Sequence, residues 1–113
     1  MLKGISIVII TCNRKEELEK TLKSLNKMKI DFPFEIIVVD QNSTDGTNQL
    51  FVEKKDYIQY HYSNINLGVA GGRNLGAKLA KYSYLIFIDD DAHFVDEEAL
   101  VNPSHIMCIW IYF

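Results

Sequence analysis

Three consecutive carboxylates, Asp89-Asp90-Asp91, stand directly behind the apolar run Tyr84-Leu85-Ile86-Phe87-Ile88. Adjacent like charges repel unless a cation or solvent compensates them. In an extended segment Asp89 and Asp91 point one way and Asp90 the other. Two carboxylates on one side, at the mouth of a crevice, suit a hard divalent cation such as Mg²⁺ or Mn²⁺. Such a cation keeps few protein ligands and fills its shell with water and substrate phosphate. A solvated acidic turn that caps the next helix fits the triplet equally well. His93, two positions on, reads as a surface histidine before it reads as a further metal ligand.

Two other polar groups share this placement. Thr11-Cys12-Asn13-Arg14 ends the run Gly4 to Ile10, and Asp40-Gln41-Asn42-Ser43-Thr44-Asp45-Gly46 ends the run Glu35 to Val39. Ser43, Thr44, Asp45 and Gly46 are turn and helix-cap residues. Asp40 is not needed for a cap, and an acid there can accept hydrogen bonds from a base or ribose. A calcium loop is excluded, because the glycine comes one position late and no glutamate closes the segment. Gly68-Val69-Ala70-Gly71-Gly72-Arg73-Asn74 opens a helical pattern, where free backbone N–H groups can face phosphate. Its spacing is neither the dinucleotide fingerprint nor a P-loop. Arg73 either faces a ligand or lies on a solvated helix surface. No G-x-S-x-G elbow supports nucleophilic serine chemistry.

The elements that must position these groups follow from hydrophobic pattern. The three apolar runs are short, β-branched or aromatic and nearly continuous, as in strands buried on both faces of a parallel sheet. Ile58 to Tyr62 alternates and reads as a strand nearer an edge. Leu18, Leu22, Leu25 and Met28 recur at helical spacing, with Asn13 and Glu16 as cap and capping box. A second helix is expected from about Asp45 to Lys54, capped by Ser43 or Thr44, with Leu50 and Phe51 facing inward. A third is expected from about Val69 to Lys81, with Ala70, Ala77 and Ala80 on one side. Its glycines point to close packing on the sheet or close approach of a ligand. Strand alternating with helix gives an α/β, Rossmann-like, doubly wound and mostly parallel sheet. In such sheets ligands bind beyond the carboxyl ends of the strands.

Composition sets outer bounds. The 113 residues carry 12 Lys+Arg against 15 Asp+Glu, a net charge of −3, with 48% hydrophobic and 24% charged residues. That allows one domain with a real core and lacks the basic footprint of a nucleic-acid binder. Two distant cysteines, Cys12 and Cys108, make neither a disulfide framework nor a zinc site. No secretory signal or membrane-length apolar stretch is present. A reducing, cytoplasmic location is expected, including the cytoplasmic face of a membrane. Residues 1–100 read as one α/β unit. Residues 101–113 read as an atypical apolar tail with no defensible period, and its exposure would promote self-association.

Taken in order, four motifs resemble family 2 glycosyltransferases of the GT-A fold: Ser6 to Arg14, Val38 to Thr47, Asn66 to Asn74, and Asp89-Asp90-Asp91. The resemblance implies an inverting transferase that uses a nucleotide-diphospho-sugar donor and a divalent cation, Mn²⁺ or Mg²⁺. It implies that Thr11, Asn13 and Arg14 edge the nucleotide site, that Asp40 bonds the base, and that Arg73 approaches the nucleotide. The acid triplet then corresponds to the D-x-D motif, with Asp89 and Asp90 on the nucleotide-sugar side and Asp91, with Asp89, on the metal. Many members carry another aspartate where this chain has Ala92. In the family the acceptor site and general base lie in a second half. The chain is therefore expected to be a donor-binding half without that base. The acceptor, whether glycan, lipid or protein, is not specified, and polysaccharide assembly is a family-level expectation. The alternative is a non-catalytic nucleotide-sugar-binding or interaction module.

Overall fold

A computed structural model describes residues 2–28, 30–92 and 109–111. His93, the acids Asp96, Glu97 and Glu98, His105 and Cys108 lie outside the described residues, as does most of the apolar tail. The elements are β1 Leu2–Thr11, α1 Lys15–Asn26, β2 Phe34–Gln41, a 3₁₀ turn Thr47–Phe51, β3 Ile58–Ser63, α2 Gly68–Leu79, β4 Tyr82–Asp89 and β5 Ile109–Ile111. They form one sheet of order β3-β2-β1-β4-β5. The first four strands are mutually parallel, and β5 runs antiparallel along β4. No helix among the described residues is long and apolar enough to cross a membrane.

Both faces of the central strands are covered, which is why their apolar runs are continuous. Ile7, Ile9, Ile36, Val38 and Ile86 pack with Leu18 and Leu25 of α1. Val8, Ile37 and Val39 pack on the opposite face with Leu75, Leu79 and Phe87. The chain runs outward from β1 to β2 and β3, then returns to place β4 on the other side of β1. The strand order therefore switches between β1 and β4, and loops from both meet at their carboxyl ends.

Four local expectations are corrected. Asn13 does not cap α1. It adopts the left-handed backbone region, φ +54°, and Arg14 takes the cap position without a side-chain cap bond. The first helical amide, Lys15 N, instead donates to Asp45 Oδ2 at 3.0 Å. The second helix shrinks to the 3₁₀ turn. Asp45 Oδ1 accepts from Thr47 N and Thr47 Oγ1, and Gly46 turns at φ +85°. Those bonds fix a tight bend that an α-helix from Asp45 could not share. Ser43 and Thr44 do not cap it. Leu50 and Phe51 do face the core.

In α2 the side against the sheet is Gly72, Leu75, Gly76 and Leu79; of the three alanines, Ala80 just past the helix packs with it, while Ala70 is exposed. A Cβ at Gly76 would overlap Val8 Cγ1, and one at Gly72 would come within 2.9 Å of Gln41 Nε2. These two glycines serve close helix–sheet packing. The fourth correction is β5, a strand within a tail that showed no period.

Candidate functional site at the switch between β1 and β4

Register brings the distant acids to one edge. Thr11 of β1 lies opposite Asp40 of β2, and Ile10 lies opposite Asp89 of β4. The two acidic strand ends therefore flank a single strand, roughly 10 Å apart at the usual strand spacing.

Within the triplet, alternation gives each carboxylate its own direction. Asp90 turns inward and is buried. Its Oδ2 accepts from Thr11 Oγ1 at 2.9 Å and its Oδ1 from Arg14 Nε at 3.0 Å. Thr21, fully buried in the middle of α1, directs its hydroxyl at the carbonyls of Asp90 (2.8 Å) and Ala92 (2.9 Å). Burial pushes the Asp90 carboxyl up, against the Thr11 hydrogen bond and the Arg14 charge, which pull it down. The Arg14 guanidinium is raised in turn, chiefly by Asp90.

Asp89 and Asp91 are exposed. With Asp90, Arg14, Arg73, Val69, Ile88, Ile10 and Val8 they line a pocket of about 390 Å³. Asp91 Oδ2 accepts from Arg14 Nη2 at 3.3 Å. The Asp89 carboxylate has no hydrogen bond or ion pair among the described residues. Arg73 lies 5.4 Å from the Phe87 ring centre, a cation–π contact that seats it over the same sheet face.

Asp40 is fully buried, yet it lines a second pocket of about 390 Å³ with Ser43, Asn48, Tyr60 and Tyr62. Its Oδ1 accepts from Ser43 N at 3.0 Å, and Tyr60 Oη donates to its Oδ2. Phe51 stacks on Tyr60 with ring centres 4.3 Å apart. Burial and the neighbouring carboxylate drive the Tyr60 hydroxyl far above its ordinary value, so it remains a donor.

The structure thus gathers Arg14, Arg73, Asp89, Asp90 and Asp91 around one pocket and Asp40 at the other, with Thr11 buried beneath. Asn13 lines neither. It ties two loops together, accepting from Thr44 N (2.7 Å) and donating its own N–H to Ser43 Oγ (2.8 Å). Three contributors escaped the sequence reading. Thr21 was detectable as one of two small polar residues, with Ser24, on the apolar side of α1. Tyr60 was read only as part of the strand from Ile58 to Tyr62. Gln41 joins β2 to the start of α2, accepting from Leu67 N at 2.7 Å and donating to Gly68 O at 2.9 Å.

The donor set bears on metal binding. Among the described residues no group of three or more His, Cys, Asp or Glu side chains could hold an ion. Asp89 and Asp91 are two hard oxygen donors facing one pocket. They fit a hexacoordinate cation that takes its other ligands from water and phosphate, and do not fit a closed all-protein site.

Comparison with known proteins agrees with this architecture. Residues 6–102 match the family model described as Glycosyl transferase family 2. The uncharacterized glycosyltransferase YfnE of Bacillus subtilis (strain 168) is 38% identical over 88 residues, covering 76% of this chain and 22% of YfnE. The crystal structure of S. aureus TarS 1-349 in complex with UDP-GlcNAc superposes with a TM-score of 0.76 at 30% identity, covering 89% of this chain and 30% of that one. The mannosyltransferase PcManGT of Pyrobaculum calidifontis, in complex with GDP-Man and Mn²⁺, gives a TM-score of 0.79 over 94% of this chain and 32% of that one. At 21% identity, that likeness shows the shared fold. The chain spans less than a third of the length of each of these proteins.

Proposed function

Since the chain belongs to glycosyl transferase family 2, we propose that it is the donor-binding part of an inverting sugar transferase that holds a nucleotide-diphospho-sugar together with a divalent cation. The observation that carries this reading is the register: Asp40 and Asp89 flank the end of β1, and Asp89 and Asp91 face a pocket that also holds Arg14 and Arg73. The bound UDP-GlcNAc of TarS supports the ligand class.

In this reading Asp40 and its pocket take the base, with Tyr60 and Ser43 fixing the carboxylate. Asp89 and Asp91 hold the cation, Mn²⁺ or Mg²⁺, whose role when bound is to neutralise charge growing on the leaving diphosphate. Arg14 and Arg73 add fixed positive charge to the same pocket. Transfer forms a bond between the acceptor hydroxyl oxygen and the anomeric carbon. The bond from that carbon to the diphosphate oxygen breaks, and the hydroxyl proton passes to a general base. The base and the acceptor site are supplied from outside the residues assigned here.

Titration calorimetry with UDP, GDP and dTDP, in Mn²⁺ or Mg²⁺ and then in chelator, tests the proposal. Binding of at least one nucleotide that chelator abolishes is expected. Failure of all three to bind in either metal would overturn it.

A further inference from the structure

Arg14 makes two contacts of unequal character. Nε meets Asp90 Oδ1 at 3.0 Å, and the Asp90 side chain is only 12% exposed. The other oxygen of that carboxylate is fixed by Thr11. Nη2 meets Asp91 Oδ2 at 3.3 Å, and the Asp91 side chain is 58% exposed. One arm of the guanidinium is therefore anchored in a buried, doubly bonded carboxylate. The other arm rests on a solvated one, where ion pairs are weak. Asp91 is also one of the two carboxylates assigned above to a cation.

We infer that Arg14 and a divalent cation are alternative partners of Asp91, and that Arg14 is a positioning residue which exchanges this carboxylate for phosphate as donor and cation arrive. The inference rests on the reading of the site given above. Its physical basis is the planar fork of arginine. Nε on Asp90 fixes the plane of the guanidinium and hence where Nη2 points. Once Asp91 turns to a cation, Nη2 keeps its place at the rim of the same pocket with free donors. A diphosphate oxygen is the complementary acceptor. The exchange makes cation and diphosphate mutually supportive, because each draws apart the pair that competes with the other, and such coupling is reciprocal.

Thr11, Thr21 and Asp90 keep the anchored arm in register. The exchange needs no backbone movement, only a swing of the exposed Asp91 side chain. Lysine could not reproduce it. A single ammonium cannot hold Asp90 with one nitrogen and Asp91 with another.

The test uses the full 113-residue chain labelled with ¹⁵N-arginine. In wild type, titration with Mg²⁺ alone should shift and mobilise the Arg14 Nη2 resonance while the Nε–H resonance keeps its bonded shift. Adding UDP or GDP should then restrain Nη2 again. Calorimetry with Mg²⁺ alone should show Arg14→Gln and Arg14→Lys both binding the ion more tightly, by about two- to fivefold, the range of an exposed ion pair. Arg14→Lys keeps the charge and loses the fork, so wild-type affinity in that variant would mean simple charge repulsion and overturn the inference. An Nη2 resonance unmoved by Mg²⁺, or no Mg²⁺ binding at all, would overturn it as well. Nucleotide binding in the same samples judges the site reading separately. Nucleotide bound with an unmoved Nη2 removes only the exchange. A released Nη2 without any nucleotide binding removes the donor assignment and the phosphate half of the exchange, and upholds the competition for Asp91.

Discussion

Two buried acids occupy opposite ends of β2 and lead opposite lives. Glu35, at the amino end, spends its carboxylate on the fold. Oε2 accepts from Ser6 Oγ and from Lys81 N, both at 2.7 Å, and Ser6 Oγ accepts from Tyr82 N at 3.2 Å. That cluster fastens the turn between α2 and β4 onto the sheet. Asp40, at the carboxyl end, is just as buried and also twice bonded, yet it forms part of a pocket wall. The difference lies in what surrounds each end. Amino ends of parallel strands receive returning chain, which closes over them. Carboxyl ends send loops outward, and the switch between β1 and β4 parts those loops.

The contrast can be broken at either end. The largest effect is expected from Asp89→Asn with Asp91→Asn. Metal-dependent nucleotide affinity should fall by roughly a hundredfold or more in calorimetry, while the melting temperature holds, because both side chains are exposed. Glu35→Ala should do the reverse. Two donors lose a buried acceptor, so denaturant unfolding should show a loss of about 3 kcal/mol, with nucleotide affinity unchanged in the molecules that remain folded.

Thr21→Val sits between these extremes. It preserves shape and removes the hydroxyl that holds the Asp90 and Ala92 carbonyls. Stability should drop by about 1–2 kcal/mol, and nucleotide affinity should weaken with it. An affinity left at the wild-type value would show that the acid turn holds its form without α1.

Asp45→Ala should have the smallest effect, about 1 kcal/mol, the usual value of a lost helix cap. Its sign with pH is specific. The Thr47 hydroxyl, followed by backbone amides, holds the Asp45 carboxyl below its ordinary range. The stabilisation is thus complete above about pH 4 and is lost as pH falls through the lower folded value. Unfolding curves of wild type and variant should converge below that pH.

Much of this molecule was legible in its residues. Three of the parallel strands were, because burial on both faces leaves continuous β-branched runs, and the fourth, the edge strand β3, was legible through its alternation. The gathering of polar residues at the carboxyl ends followed from those strands alone. What escaped were bonds between segments distant in sequence. Asn13 carries the local signature of a cap, but Asp45, thirty positions beyond Lys15, supplies the bond, and no window around α1 contains it. The same aspartate curtails the expected second helix. The alternation of the triplet was readable, whereas the partners that bind Asp90 come from β1 and α1. The three residues of β5 are too few to show a period.

Gly72 and Gly76 carry one more consequence. Where most residues bear a carbon, these present only hydrogen to Gln41, Ile10 and Val8, and so α2 rests almost directly on the strands. Because Val69 and Arg73 ride on that helix, its standoff sets how wide the neighbouring cleft can gape. One methyl group added beneath α2 would lift the whole wall, which makes this seam a place where cleft width can be retuned without altering any residue that faces the ligand.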